Sequence, residues 1–194
     1  MALIPVDGRQ IATIVTHLEM SQRPKPKPMV TTPLRMKRWN EPDLQKYRIL
    51  FRRVGEPWLW FSRLVLNDDE LRTVIHDDKV HIYAICDPKA IEVGLLELDF
   101  RKSGECTIAF LGLVPQLTGL GLGEWLMSQA LMIGWQNSVD KMKVQTCTLD
   151  DSRALPLYVR AGFKPVRRMV ETFDDPRLLG LFGKEAAPHI PLIG

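Results

Sequence analysis

The run Leu113-Val-Pro-Gln-Leu-Thr-Gly-Leu-Gly-Leu-Gly-Glu-Trp-Leu-Met127 sets three glycines at alternate positions, Gly119, Gly121 and Gly123. An apolar strand-like segment precedes them and an apolar-faced helical segment follows. Glycine admits positive φ and lets a ligand approach the main chain closely. The helix start adds unpaired N–H groups and the positive end of a dipole. A strand-to-helix turn of this kind is suited to bind an anion such as a phosphate or pyrophosphate. The plainer alternative is a tight turn that carries no ligand.

The rest of the chain gives that turn its setting. Ile11–Glu19 is β-branched and reads as a first strand, followed by the stiff segment Arg23-Pro-Lys-Pro-Lys-Pro28. Asn40 is placed to cap a helix with Pro42 in its first turn, running to about Val54, and Asn67 or Asp68 to cap a second over Asp68–His76. Val80–Cys86, Ile91–Phe100 and Glu105–Val114 form a meander of strands joined by turns at Asp87–Ala90 and Lys102–Gly104. After the glycine turn come a helix over about Gly121–Trp135, a strand over Met142–Leu149, and a short helix over Ser152–Ala161. Asp150 or Asp151 is expected to cap that helix, Pro156 to weaken it and Gly162 to end it. Phe163–Phe173 is again a strand, and the Pro/Gly-rich tail 174–194 is expected to pack on the domain. The order β-α-α-β-β-β-α-β-α-β specifies an α/β fold with a mixed (α+β) sheet, in which Glu105 to Leu149 forms a right-handed parallel crossover.

Composition excludes some classes. At 194 residues the chain suits one domain, 1–194, with a core over about 80–173 and helices over about 40–76. The net charge of +3 is uneven: residues 1–60 hold eleven Lys/Arg against five Asp/Glu. Without interleaved aromatics this basic stretch does not make a nucleic-acid motif, so no nucleic-acid partner is expected. No apolar run spans a bilayer and no secretory leader opens the chain, so neither a membrane nor export is expected. Cys86, Cys106 and Cys147 are few, odd in number and widely spaced, which reads as reduced core thiols of a cytoplasmic protein. His17, His76, His81 and His189 lack metal-ligand spacing, so no metal is expected. A dinucleotide reading of Gly119-x-Gly121 needs a glycine at position 124, which is Glu, and an opening βαβ unit, which is missing.

Two motifs together narrow the choice. Leu113-Val-Pro-Gln-Leu-Thr-Gly-Leu-Gly-Leu-Gly123 resembles the acyl-coenzyme A loop of the GNAT acyltransferase superfamily, and Ala154-x-x-x-Tyr158-x-x-x-Gly162-Phe163 is similar to its second signature. The chain departs from the pattern twice. Pro115 and the helix start at Glu124 favour the register that puts Thr118 where Arg or Gln is usual, and Asp151 replaces an Asn. The resemblance implies an N-acetyltransferase that moves the acetyl group of acetyl-CoA to a primary amine of a small molecule or protein, by direct attack in a ternary complex.

The same resemblance implies the site. Leu111 would offer a backbone N–H to the thioester carbonyl and Leu113 would pair with the pantetheine arm. Thr118, Gly119, Leu120, Gly121, Leu122, Gly123 and Asp151 would surround the rest of the cofactor. Tyr158 falls at the general-acid position. Some relatives place a Glu at what is Thr107 here; Glu105 lies on the same face and is the candidate base, with Glu97 and Asp99 as competing carboxylates. Trp58, Trp60, Phe61 and Glu97 are candidates for the acceptor pocket, although core packing explains the aromatics equally well. A homodimer is compatible with the resemblance. The rival class is a non-catalytic acyl-CoA-binding sensor, which the missing charge at Thr118 and the uncertain base keep open.

Overall fold

The structure, a computed structural model, describes residues 3–25, 28, 30–136 and 138–193. Pro26 and Lys27 of the proline-rich segment lie outside the described residues. In chain order the elements are β1 (Gln10–Met20), β2 (Arg35–Trp39), α1 (Leu44–Gly55), a 3₁₀ turn at Glu56–Trp58, α2 (Asp68–Ile75), β3 (Val80–Cys86), β4 (Glu92–Asp99) and β5 (Glu105–Leu113). A second 3₁₀ turn at Pro115–Leu117 leads to α3 (Leu122–Gly134), then β6 (Lys141–Cys147), α4 (Ala154–Ala161) and β7 (Lys164–Asp174). The strands form one sheet in the order β2-β3-β4-β5-β6-β1-β7, mixed because β5 and β6 run parallel while every other pair is antiparallel.

Local chemistry fixes the helices. In α1, Tyr47, Leu50, Phe51 and Val54 recur at helical spacing and are all buried. Its cap is Asp43, which accepts from Lys46 N–H at 2.8 Å, and not the expected Asn40. Asn67 and Glu70 form a reciprocal capping box at the start of α2. The cap expected at Asp150 or Asp151 is absent: α4 begins after Arg153 with no side-chain cap. Both aspartates are engaged elsewhere. Pro156 is the third residue of α4, so its missing N–H falls among those that have no intrahelical partner anyway, and it does not weaken the helix as expected. Gly162, at φ 110°, ends α4.

The sequence reading missed β2. Its residues, Arg-Met-Lys-Arg-Trp, are mostly basic and sit on the sheet's outer edge against β3, where one-sided burial leaves a weak apolar pattern. Helices cover both faces. On one, Leu126, Ala130 and Met127 of α3 pack on Leu96, Leu98, Cys106 and Ile108; on the other, α1 and α2 pack on Ile82, Ala84 and Leu95. The tail returns across Ile11, Leu59 and Leu149 through Phe182, Ala186 and Ala187, tied by the buried Asp175–Arg177 pair.

One irregularity positions the site. The β4–β5 register shifts between Glu97 and Leu98, leaving Ala109 unpaired opposite them. At the same point the parallel β5–β6 ladder, which runs from Glu105↔Lys141 to Ile108↔Val144, stops. Beyond it β5 follows β4 and β6 follows β1, so the sheet divides into two halves.

Candidate functional site

The division opens a cleft of about 500 Å³ between the two half-sheets. Its walls include Ala109–Leu113 of β5, Val144–Cys147 of β6, the glycine turn, Tyr158 of α4, the Trp58–Phe61 segment, and Glu171 and Phe173 of β7. The main chain of β5 is part of the wall. Val114 donates its N–H to Val93 O on the β4 side, so alternation along the ladder turns the N–H and C=O groups of Leu113 and Leu111 the other way, into the gap that β6 leaves. Strand-like polar groups without a strand beside them are suited to pair with an extended, amide-bearing ligand.

The glycine turn closes one end. Thr118 is extended, and its hydroxyl donates to Pro115 O at 2.7 Å. Gly119 and Gly121 take φ of 80° and 75°, and α3 starts at Leu122 with no side-chain cap on its first turn. Thr118, Gly119, Gly121 and Gly123 line the cleft. Leu120 and Leu122 do not: the first is 64% exposed and the second packs against the core under α3. A charge that sequence reasoning missed stands here. A Cβ on Gly119 would lie 3.1 Å from Arg153 Nη1, so the Arg153 guanidinium flanks the turn from α4. Asp151 lines the cleft and accepts from Arg153 N–H and Nε at 2.9 and 2.8 Å, which holds that guanidinium in place and its own carboxyl below the usual range. Only the fold brings α4 beside the turn; the nearby arginine in the sequence was the one available signal.

At the middle of the cleft lies Tyr158, only 6% exposed and edge-on to Phe163. Burial, and then the nearby Asp150 carboxylate, push its phenol well above the ordinary tyrosine range. Asp150 itself accepts from Thr146 Oγ1 at 2.7 Å, Cys147 N–H at 2.9 Å and Trp60 Nε1 at 3.2 Å. It ties the Trp58–Phe61 segment to the β6–α4 connection. Trp58, Trp60 and Phe61 all line the cleft and are also packed: Trp60 on Phe51 and Phe110, Phe61 on Phe173, and Trp58 against His189. The two readings of these aromatics are therefore not exclusive.

Two carboxylates fall elsewhere. Glu105 starts β5 at the end remote from the glycine turn, in ion pairs with Lys143 at 2.6 Å and Lys102 at 3.0 Å that hold its carboxyl below the usual range. It shares a face with the cleft residues of β5 but is not brought to them. Glu97 is fully buried outside the cleft, accepting from Tyr47 Oη at 2.5 Å and Arg63 Nη2 at 2.6 Å. Arg63 also stacks over Phe110, 5.1 Å from the ring centre. This triad braces α1 and the segment after Trp60 against β4 and β5, behind the aromatic wall. Cys147 lines the cleft, but burial and Asp150 push its thiol up, as burial pushes Cys106 up to about 12, so neither is a ready thiolate. Among the described residues no His/Cys/Asp/Glu group is arranged to hold a metal ion, and no helix is long and apolar enough to cross a membrane.

Comparison with known proteins agrees with the fold. Residues 35–163 match the model of the acetyltransferase (GNAT) family. No curated protein matches the chain by sequence. Among solved structures, a Drosophila protein superposes with a TM-score of 0.64 at 12% identity, and a GCN5-related N-acetyltransferase from Sphaerobacter thermophilus with 0.58 at 14%. Each alignment covers 86% of this chain and 52% of the other, so the chain spans about half the length of these two. An aminoglycoside acetyltransferase from an uncultured soil metagenomic sample superposes with 0.56 at 19%, covering 74% of this chain and 97% of that one.

Proposed function

Because the chain belongs to the GNAT acetyltransferase family, we propose that it transfers the acetyl group of acetyl-CoA to a primary amine by direct attack within a ternary complex. The observation that carries this reading is the division of the sheet beside Leu111 and Leu113, which leaves strand-like main chain facing a cleft that ends at the glycine turn. The pantetheine amides pair with Leu113. The pyrophosphate meets the N–H groups at the start of α3, with Arg153 supplying the charge that Thr118 does not. The thioester carbonyl lies against Leu111 N–H.

In the reaction, the amine nitrogen attacks that carbonyl and Leu111 N–H stabilises the oxyanion. The C–S bond then breaks, Tyr158 Oη donates a hydrogen bond to the departing sulfur, and the nitrogen releases its proton to water. Asp150 and Asp151 are engaged by their own partners and Glu124 pairs with Arg160, which leaves Glu171 on the β7 wall as the cleft carboxylate without an ion pair among the described residues; the amine enters already neutral. Trp58, Trp60 and Phe61 form the wall against which the acceptor is held. A soluble small molecule or a protein amine would each fit this chemistry, and the aminoglycoside acetyltransferase likeness makes a polyamine-bearing small molecule a natural first trial. The engaged carboxylates and Thr118 favour, as the second reading, an acyl-CoA-binding sensor without turnover.

Amide hydrogen exchange tests the placement. On adding coenzyme A, the amides of Leu111 and Leu113 and those of residues 121–123 should slow, while those of the β3–β4 ladder stay unchanged. Unchanged exchange at Leu111 and Leu113 with CoA bound would overturn it.

A further inference from the structure

The strand β7 ends the sheet, and its outer edge is open over eleven residues. Asp175 donates its N–H to Arg9 O, so alternation along the β1–β7 ladder turns the main-chain groups of Arg168, Val170, Thr172 and Asp174 outward, away from β1. Ten of the eleven β7 residues are exposed, Phe173 alone being half-buried, and Val166, Met169 and Val170 are 55%, 42% and 67% exposed. A long edge of this kind, carrying apolar side chains, is a template for another strand. The opposite edge, β2, repels a copy of itself through Arg35, Lys37 and Arg38.

The charges on β7 run in a self-complementary order. Folding the regular part of β7, Arg167-Arg-Met-Val-Glu171, back on a copy of itself about Met169 sets Arg167 opposite Glu171, twice by symmetry; the bulge at Val166 ends this register before Lys164. That register also opposes Arg168 to Val170, both of which face their main chain outward. The neighbouring registers fail. An axis at Arg168 sets Arg168 against itself, one at Val170 opposes no unlike charges, and one at Glu171 sets Glu171 against itself and relies on Asp174, whose carboxylate already accepts from Gln10 of its own chain. Among the described residues Lys164, Arg167, Arg168 and Glu171 form no ion pair within the chain.

We propose that two copies of this chain associate through antiparallel pairing of β7 with β7 about Met169, making one continuous sheet. Glu171 lines the cleft, so Arg167 of the second copy stands beside the cleft's far wall and couples assembly to the acceptor side. The inference rests on the edge strand and its charges, and it holds whatever ligand the cleft takes.

Sedimentation equilibrium of the full chain and its charge-reversal variants tests it, with circular dichroism verifying that each variant folds. The wild type should form a two-chain species. Arg167→Glu and Glu171→Arg should each weaken it by about tenfold or more. Mixing the two variants should restore association, because one then presents only carboxylates and the other only guanidinium groups at these positions. Where either reversal impairs folding, Arg167→Gln and Glu171→Gln report the same register, each weakening association without introducing a like charge. A wild type that sediments as a single chain, or a dimer whose constant no reversal moves, overturns the proposal.

Discussion

The Tyr158 hydroxyl is almost removed from water and faces the charge of Asp150, and both effects disfavour the phenolate. An ordinary thiol ionises near ~8.5, far below this phenol, so full proton transfer to a departing thiolate runs uphill. In the proposed mechanism its contribution is therefore a hydrogen bond to developing charge on sulfur. Such a bond is worth about 1.5–3 kcal/mol, so Tyr158→Phe should lower kcat by about ten- to a hundredfold with acetyl-CoA affinity retained. Steady-state kinetics check this, and full activity in the variant would remove the role. The raised pKa also sets the sign of the pH profile. The protonated form persists to higher pH than in an ordinary tyrosine, so activity should climb as the amine loses its proton and then level off. A descending limb near ~10, where free tyrosine ionises, would contradict it. At Gly121, φ is 75° and an added Cβ meets no atom within 4 Å. Gly121→Ala should therefore cost stability only the backbone strain, about 1–2 kcal/mol by thermal melting, yet weaken coenzyme A binding by calorimetry, because the methyl group enters space the pyrophosphate needs.

At the scale of elements, the Glu97–Arg63–Tyr47 triad ties α1 and the segment after Trp60 to the sheet behind the cleft. Burial and the Glu97 carboxylate push the Tyr47 phenol up, so it remains a donor. Removing one member of a buried ion pair strands the other, and Glu97→Ala should lose about 3–5 kcal/mol in denaturant unfolding. A loss below ~1 kcal/mol, as for an exposed pair, would show that the triad is not a brace. The elements also show what a sequence can disclose. The glycine turn and the placing of Tyr158 on the following short helix were legible because each is written in a few adjacent residues whose spacing is the signal. Glu105 was not: period two put it on the right face, but it precedes Leu111 by six residues, about 20 Å along a strand. Arg153 was missed because its nearness to Gly119 depends on how α4 packs, and β2 because a basic edge strand lacks alternation. The caps expected at Asp150 and Asp151 failed since those carboxylates found Trp60, Thr146 and Arg153 instead.

The whole molecule is a sheet that divides. β2-β3-β4-β5 with α1 and α2 forms one half, β6-β1-β7 the other, and the two are joined along Glu105–Ile108. The bulge at Ala109 that sends β5 with β4 had no sequence marker, since it is a property of pairing and not of one strand. The mixed sheet and its parallel crossover could be read from element order; the cleft that gives them a use could not. In the proposed reaction the donor lies along the main chain of that cleft, and the aromatic segment and β7, which line it, close the acceptor side. The central claim is that the molecule catalyses transfer and does not merely bind, and release of free thiol from acetyl-CoA across a panel of primary amines measures it most directly. Amine-dependent release, matched by the acetylated amine in mass spectrometry, is the predicted result; tight binding of acetyl-CoA with no release on any amine would contradict it.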